Sequence, residues 1–148
     1  MRLFSVGLLF FLLSSSLFAL TPFNLNGVKK LSVHVADYSE MFDKKMKPKL
    51  EAMMRKKLKK LKIDTDGYFH ESLILLMQSQ LVGKIKLLNL DLMVAGDVRP
   101  TGKTELTYGI TYLLKDSVEI EDKEADLIES LEFLLDEFAE QYIQDNEE

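Results

Sequence analysis

Two long stretches of alternating polarity flank Arg99-Pro100-Thr101-Gly102-Lys103, and they restrict this chain more than any other feature in it. Before the turn, Leu88, Leu90, Leu92, Val94 and Val98 share one parity with Lys86, while Asn89, Asp91, Asp97 and Arg99 take the other. After it, Leu106, Tyr108, Ile110, Tyr112 and Leu114 share a parity against Glu105, Thr107, Thr111 and Lys115. Successive side chains of a strand point to opposite faces, so each run is a strand with one buried face. Two such runs around a Pro/Gly turn predict an antiparallel hairpin from Lys84 to Ile120. Tyr108 and Tyr112 fall on its inner parity and are expected in the core. Strands of this length normally carry a bulge, and Gly96 and Gly109 are the candidate sites.

The remaining elements read as cover for that hairpin. Residues 1–19 read as an export signal, cleaved after Ala19, the alternative being an uncleaved anchor. Arg2 gives the positive start, Leu3 to Leu13 the apolar run, Ser14-Ser15-Ser16 the break, and Ala19 the small residue before cleavage. Residues 20–27 are an irregular lead-in broken by Pro22, Asn24, Asn26 and Gly27. Residues 28–148 are expected to fold as one domain. Within it, Val28 to Tyr38 alternates as a strand, with His34 on its polar side. Glu40 to Lys62 carries a helical stripe of Phe42, Met46, Leu50, Met54, Leu58 and Leu61, with Ser39 as its N-cap. Pro48 interrupts that pattern, so a kink near Lys44 or a start at Pro48 is expected. Asp64-Thr65-Asp66-Gly67 is a turn. Leu73 to Val82 is a strand apolar on both parities near its start, as in a strand buried on both faces. Asp122 to Asp145 is a second helix, N-capped by Asp122, with Ala125, Ile128, Leu131, Leu135, Phe138 and Tyr142 as its stripe; Asn146 to Glu148 should fray. The economical fold is α+β: a two-layer sandwich with a four-stranded mixed sheet, element order β-α-β-β-β-α, and both helices on one face.

Composition excludes several chemistries. A net charge of −5 opposes non-specific nucleic-acid binding, and the absence of cysteine removes thiol nucleophiles, soft metal ligation and a lipid-modified export signal. Gly102-Lys103-Thr104 resembles the end of a phosphate loop, but Asp97 stands where the first glycine belongs and a strand follows where a helix should. His70-Glu71 begins like a zinc-protease motif, but Ile74 occupies the second histidine position. Asp64 to Gly67 lacks the spacing of a calcium loop. Asp136, Glu137 and Glu140 sit on the predicted wet face of the last helix and read as solvating charges. No cofactor and no metal are expected.

Charge divides the helices. Glu40 to Lys62 holds ten basic and three acidic residues; Glu119 to Glu148 holds thirteen acidic residues and Lys123. Side by side, their facing flanks attract, and each outer ridge is able to steer a partner. The basic helix could also lie on anionic lipid, although its apolar stripe is needed against the sheet. Met41, Met46, Met53 and Met54 are core at this spacing, or the wall of an apolar-ligand site.

The succession of signal, strand, helix, three strands and helix resembles small bacterial envelope proteins of the outer-membrane assembly type. The nearest in layout is the lipoprotein plug of the lipopolysaccharide translocon. The likeness is one of element order and no motif carries it, so no site residues transfer. That family is lipid-anchored through a cysteine, which this chain lacks. The expected function is non-enzymatic: a periplasmic or secreted module binding another envelope protein. Lys56, Lys57 and Lys60 on the basic helix, and Asn89, Asp91 and Met93 on the outer sheet face with Thr107 and Thr111, are the candidate contact residues. The alternatives are a carrier of an apolar ligand held between helices and sheet, and an enzyme with no recognisable polar cluster.

Overall fold

The structure, a computed structural model, describes residues 25–147. The expected export signal and most of the lead-in lie outside the described residues. The elements are β1 (Ser32–Asp37), α1 (Met46–Lys60), β2 (Ser72–Val82), β3 (Ile85–Val98), β4 (Thr107–Glu119) and α2 (Lys123–Asn146). The sheet order is β1-β2-β3-β4; β1 runs parallel to β2 and the other pairs are antiparallel. This is the α+β mixed sheet that the alternating and helical periods predict. Leu31, Val33 and Val35, Leu73, Leu75 and Met77, and Leu88, Leu90, Leu92 and Val94 all face one side. Leu50, Met54 and Leu58 of α1 and Leu127, Leu131, Leu134, Leu135 and Phe138 of α2 complete one core with them, so both helices lie on that inner face.

The first helix is shorter than its apolar stripe. It begins at Met46 with Lys45 as N-cap and no side-chain capping bond. Polar side chains upstream pull the backbone into turns instead. The Asp37 carboxylate accepts from Ser39 N at 2.8 Å and from the Ser39 hydroxyl at 2.6 Å, and Asp43 accepts from Lys45 N at 2.7 Å. Ser39 is therefore a turn residue and not the expected cap. Phe42 precedes the helix and still packs against the core. Pro48 is the third helical residue, where the backbone needs no N–H donor, so the helix neither kinks there nor starts there. At the other end Ile63 N donates to Leu58 O at 3.0 Å and Lys62 N to Lys59 O at 3.1 Å, a Schellman closure with Lys62 left-handed at φ 61°. Ile63 and Leu58 are both buried, which supplies the apolar contact that accompanies this motif.

The hairpin forms as the alternation predicts, but its bulge lies elsewhere. Val94 faces Tyr112 and Ala95 faces Ile110, so Thr111 is the extra residue. Gly96 and Gly109 face each other directly. A Cβ on Gly96 would lie 2.7 Å from Glu71 Cγ, so that glycine serves close approach and not a bulge. The extra residue reverses the facing of the first half of β4. Tyr112, Leu114 and Val118 point inward, whereas Leu106, Tyr108 and Ile110 are 58%, 58% and 49% exposed. Tyr108, expected in the core, lies outside it.

The chain ends are tied together. Leu25, in the expected lead-in, is fully buried, and its N–H donates to Asp145 at 2.7 Å. Asn146, expected to fray, is the last helical residue; its side chain accepts from Gly27 N at 3.0 Å and donates to Leu25 O at 3.1 Å. Tyr142 donates its hydroxyl hydrogen to Val28 O at 3.0 Å. Beyond this clamp the first strand is shorter than expected, and Lys30 meets Asp64 in a single parallel bridge. Asp122 caps α2 as predicted, accepting from Glu124 N and Ala125 N at 3.2 Å, while Asp126 accepts from Asp122 N at 2.8 Å.

Candidate functional site

The expected contact residues fall on opposite faces. Lys56, Lys57 and Lys60 lie on α1 and line a shallow groove of about 310 Å³ with Met53, Glu132, Leu135 and Asp136. Asn89, Asp91 and Met93 lie on the outer face of β3, on the parity that the helices do not cover. Thr107 lies on the inner parity at the end of the sheet, and Thr111 is the bulge residue, its hydroxyl donating to Val94 O at 3.3 Å. No one surface unites the set.

The groove is the seam between the helices. Lys49 pairs with Glu124 near both N-termini, and Lys57 with Asp136 farther along, so α1 and α2 run parallel. Parallel neighbours place like ends of their dipoles together. A basic α1 beside an acidic α2 offsets that repulsion. Both pairs are solvent-exposed on at least one side chain, so each contributes at most about 1 kcal/mol. The charge division between the helices thus acts within the fold.

The outer sheet face has a different character. Reading across the strands, His34, Ile74, Met93 and Leu113 form one row, and Ala36, Leu76, Asp91 and Lys115 the next. Lys115 Nζ lies 3.4 Å from Asp91. The following row is polar: Gln78 faces Asn89, and Asn89 Oδ1 accepts from the Ser117 hydroxyl at 2.7 Å. On the other side, Ser32, Ser72 and Ala95 are buried, and the Gly67–Phe69 loop caps Ser32 through bonds to its Oγ. Ile110 and Tyr108 continue the face past that cap, with the Tyr108 hydroxyl 3.4 Å from Ala95 O. The result is an apolar strip of Ile74, Leu76, Met93, Leu113, Ile110 and Tyr108, bordered by hydrogen-bonded polar rows.

This corrects the expectation for β2. Its two apolar parities suggested layers on both sides, yet Ile74 and Leu76 are only half-buried and no second layer is present among the described residues. Sequence reading missed Ile74, Leu76, Ile110 and Leu113 as surface residues. The signal was present in β2's double parity; for Ile110 it was hidden by the bulge.

Among the described residues, no group of three or more His, Asp or Glu side chains is placed to hold a metal. His34 and His70 are exposed, His70 standing 3.6 Å from Asp97. Asp136, Glu137 and Glu140 are exposed on α2. Tyr112 is pushed from 10.0 to about 12, first by burial and then by the charges of Glu137 and Asp145. A phenol held neutral in this way packs edge-on against Phe138 at 5.6 Å and acts as core.

No family model matches the chain, and no curated protein matches it significantly. Among solved structures, it is similar to a minor lipoprotein from Acinetobacter baumannii, at 18% identity over 81% of this chain and 91% of that one, with a TM-score of 0.29. A likeness of that size assigns no role. No helix among the described residues is long and apolar enough to cross a membrane.

Proposed function

We propose that the chain is an exported, non-enzymatic envelope protein that binds another envelope protein through the open face of its sheet. The observation that carries this reading is the apolar strip on that face. Antiparallel sheets with one solvated face alternate apolar-in and polar-out. Here Ile74, Leu76, Met93, Leu113 and Ile110 break that rule together, in adjacent rows, with no helix or strand over them among the described residues. An apolar centre with a polar rim is the usual anatomy of a protein interface. Tyr108 at one end and Met93 at the centre are the residue types enriched there. Asn89 and Asp91 belong to the rim, already oriented by Ser117 and Lys115.

Export rests on the pattern of residues 1–19, and a periplasmic or secreted location follows from it. The interior opposes the carrier alternative. Met54, Leu50, Leu58, Leu75, Leu90 and Phe138 are fully buried against one another, so a ligand between helices and sheet would have to displace packed side chains.

The test is co-purification from an envelope fraction. The reading expects a discrete partner with the unaltered chain and its loss with Met93→Gln combined with Ile110→Lys, at unchanged melting temperature. Retention of the partner by that variant, or no partner with the unaltered chain, overturns it.

A further inference from the structure

The hairpin joining β2 to β3 projects past the rest of the fold. β1 ends where Asp37 faces Met77, and β4 ends where Glu119 faces Leu87. β2 runs on to Val82, and every residue from Gln78 onward is exposed. At the apex Val82 faces Ile85, and one rung lower Leu81 faces Lys86. The connection is two residues long, with Gly83 left-handed at φ 64° in the first central position, which makes a tight turn suited to the twist of the strands. Leu81, Val82 and Ile85 are 70%, 50% and 44% exposed. They contribute little to the core, and a polar tip would close the hairpin as well.

Charge sets this tip apart. The chain carries a net charge of −5, yet Ser72 to Leu90 holds Lys84 and Lys86 and no acidic residue; the acidic Glu119 of the neighbouring strand faces Leu87, two rungs below the apex. Neither lysine is within ion-pair distance of a carboxylate among the described residues. Apolar side chains stand on both faces of the hairpin here, Val82 and Ile85 on one and Leu81 on the other. A protein surface covers one face of such an element. A medium that surrounds the tip satisfies both.

We propose that the Leu81–Lys86 tip docks on an anionic lipid surface. Leu81, Val82 and Ile85 enter the boundary between headgroups and acyl chains. Lys84 and Lys86 extend their flexible stems so that the ammonium groups stay level with the lipid phosphates. The site is separate from the open sheet face and lies at the far end of the sheet from the Leu25 clamp.

The chain has no cysteine, so Val82→Cys gives a unique attachment point for an environment-sensitive fluorophore. Ser117→Cys, on the open face, is the control. With vesicles of phosphatidylglycerol and phosphatidylethanolamine, the label at position 82 should shift to the blue and the label at position 117 should not. Phosphatidylcholine vesicles should leave both unchanged. Lys84→Gln and Lys86→Gln should each weaken the lipid concentration dependence about fivefold, the usual contribution of one lysine at an anionic leaflet. No shift at position 82, an equal shift at position 117, or an equal response to phosphatidylcholine overturns the proposal. Both labelled positions are exposed, and an unchanged melting temperature shows that the variants remain folded.

Discussion

The backbone N–H of Leu25 donates to the carboxylate of Asp145 at 2.7 Å, joining the first described residue to the last turn of α2. Asn146 adds two bonds to the same segment, to Gly27 N and Leu25 O, and Leu25 fills the core beneath them. The C-terminal turn is thus part of the folded body. Asn146→Ala should destabilise the protein by about 1–2 kcal/mol, the ordinary worth of one or two part-exposed hydrogen bonds. Denaturant unfolding measures the loss, and faster hydrogen exchange at Gly27 locates it. A neutral substitution would mean that the turn frays.

The hydroxyl of Thr65 is buried without a hydrogen-bond partner among the described residues, although the residue's carbonyl accepts from Arg55 at 2.7 Å. Thr65→Val keeps the shape and removes the unsatisfied group. It should stabilise the fold by about 1 kcal/mol, since an orphaned buried hydroxyl costs of that order. Equilibrium unfolding of the variant shows whether the midpoint rises.

Lys62 holds a left-handed φ of 61° at the end of α1. Glycine adopts that conformation without the steric cost of a Cβ. Lys62→Gly should therefore raise stability by about 0.5–1 kcal/mol. Lys62→Val should lower it, because a β-branched residue resists φ above zero. Thermal melts of the pair give opposite signs if the Schellman closure is present.

Burial, and then the charges of Glu137 and Asp145, push the Tyr112 phenol from its ordinary 10.0 up to about 12. Its folded form holds the proton more tightly than its unfolded form. The resulting stability is complete below pH 10 and is lost as pH rises from there toward 12. Tyr112→Phe should remove that alkaline slope and abolish one late tyrosinate transition in an absorbance titration. Loss of a transition near pH 10 instead would contradict the burial of this ring.

The fold was legible where one residue class repeats at one period. The alternation of Leu88, Leu90, Leu92 and Val94 fixed the inner face of β3, and the run from Leu131 to Phe138 fixed that of α2. It was illegible where a local polar contact competes with the period. The Ser39 hydroxyl, accepting from Met41 N, and the Asp43 carboxylate, accepting from Lys45 N, hold turns across what reads as the first two turns of a helix. Thr111 inserts one residue into β4 and reverses the facing of Tyr108 and Ile110 with no glycine to mark it. The open face was only half visible for the same reasons. Asn89, Asp91 and Met93 followed from parity alone. Ile110 required the bulge, and Ile74 and Leu76 required knowing that no second layer covers β2 among the described residues.

The apolar strip on the open face is proposed to meet another protein in the cell. Site-specific photo-crosslinking tests it most directly, with the reactive group placed at Met93, at Ile110, and at Lys47 on the exposed start of α1 as a control. One protein adduct of the same mass is expected from Met93 and Ile110, and none from Lys47. No adduct at either strip position, or an adduct from Lys47 alone, would contradict it.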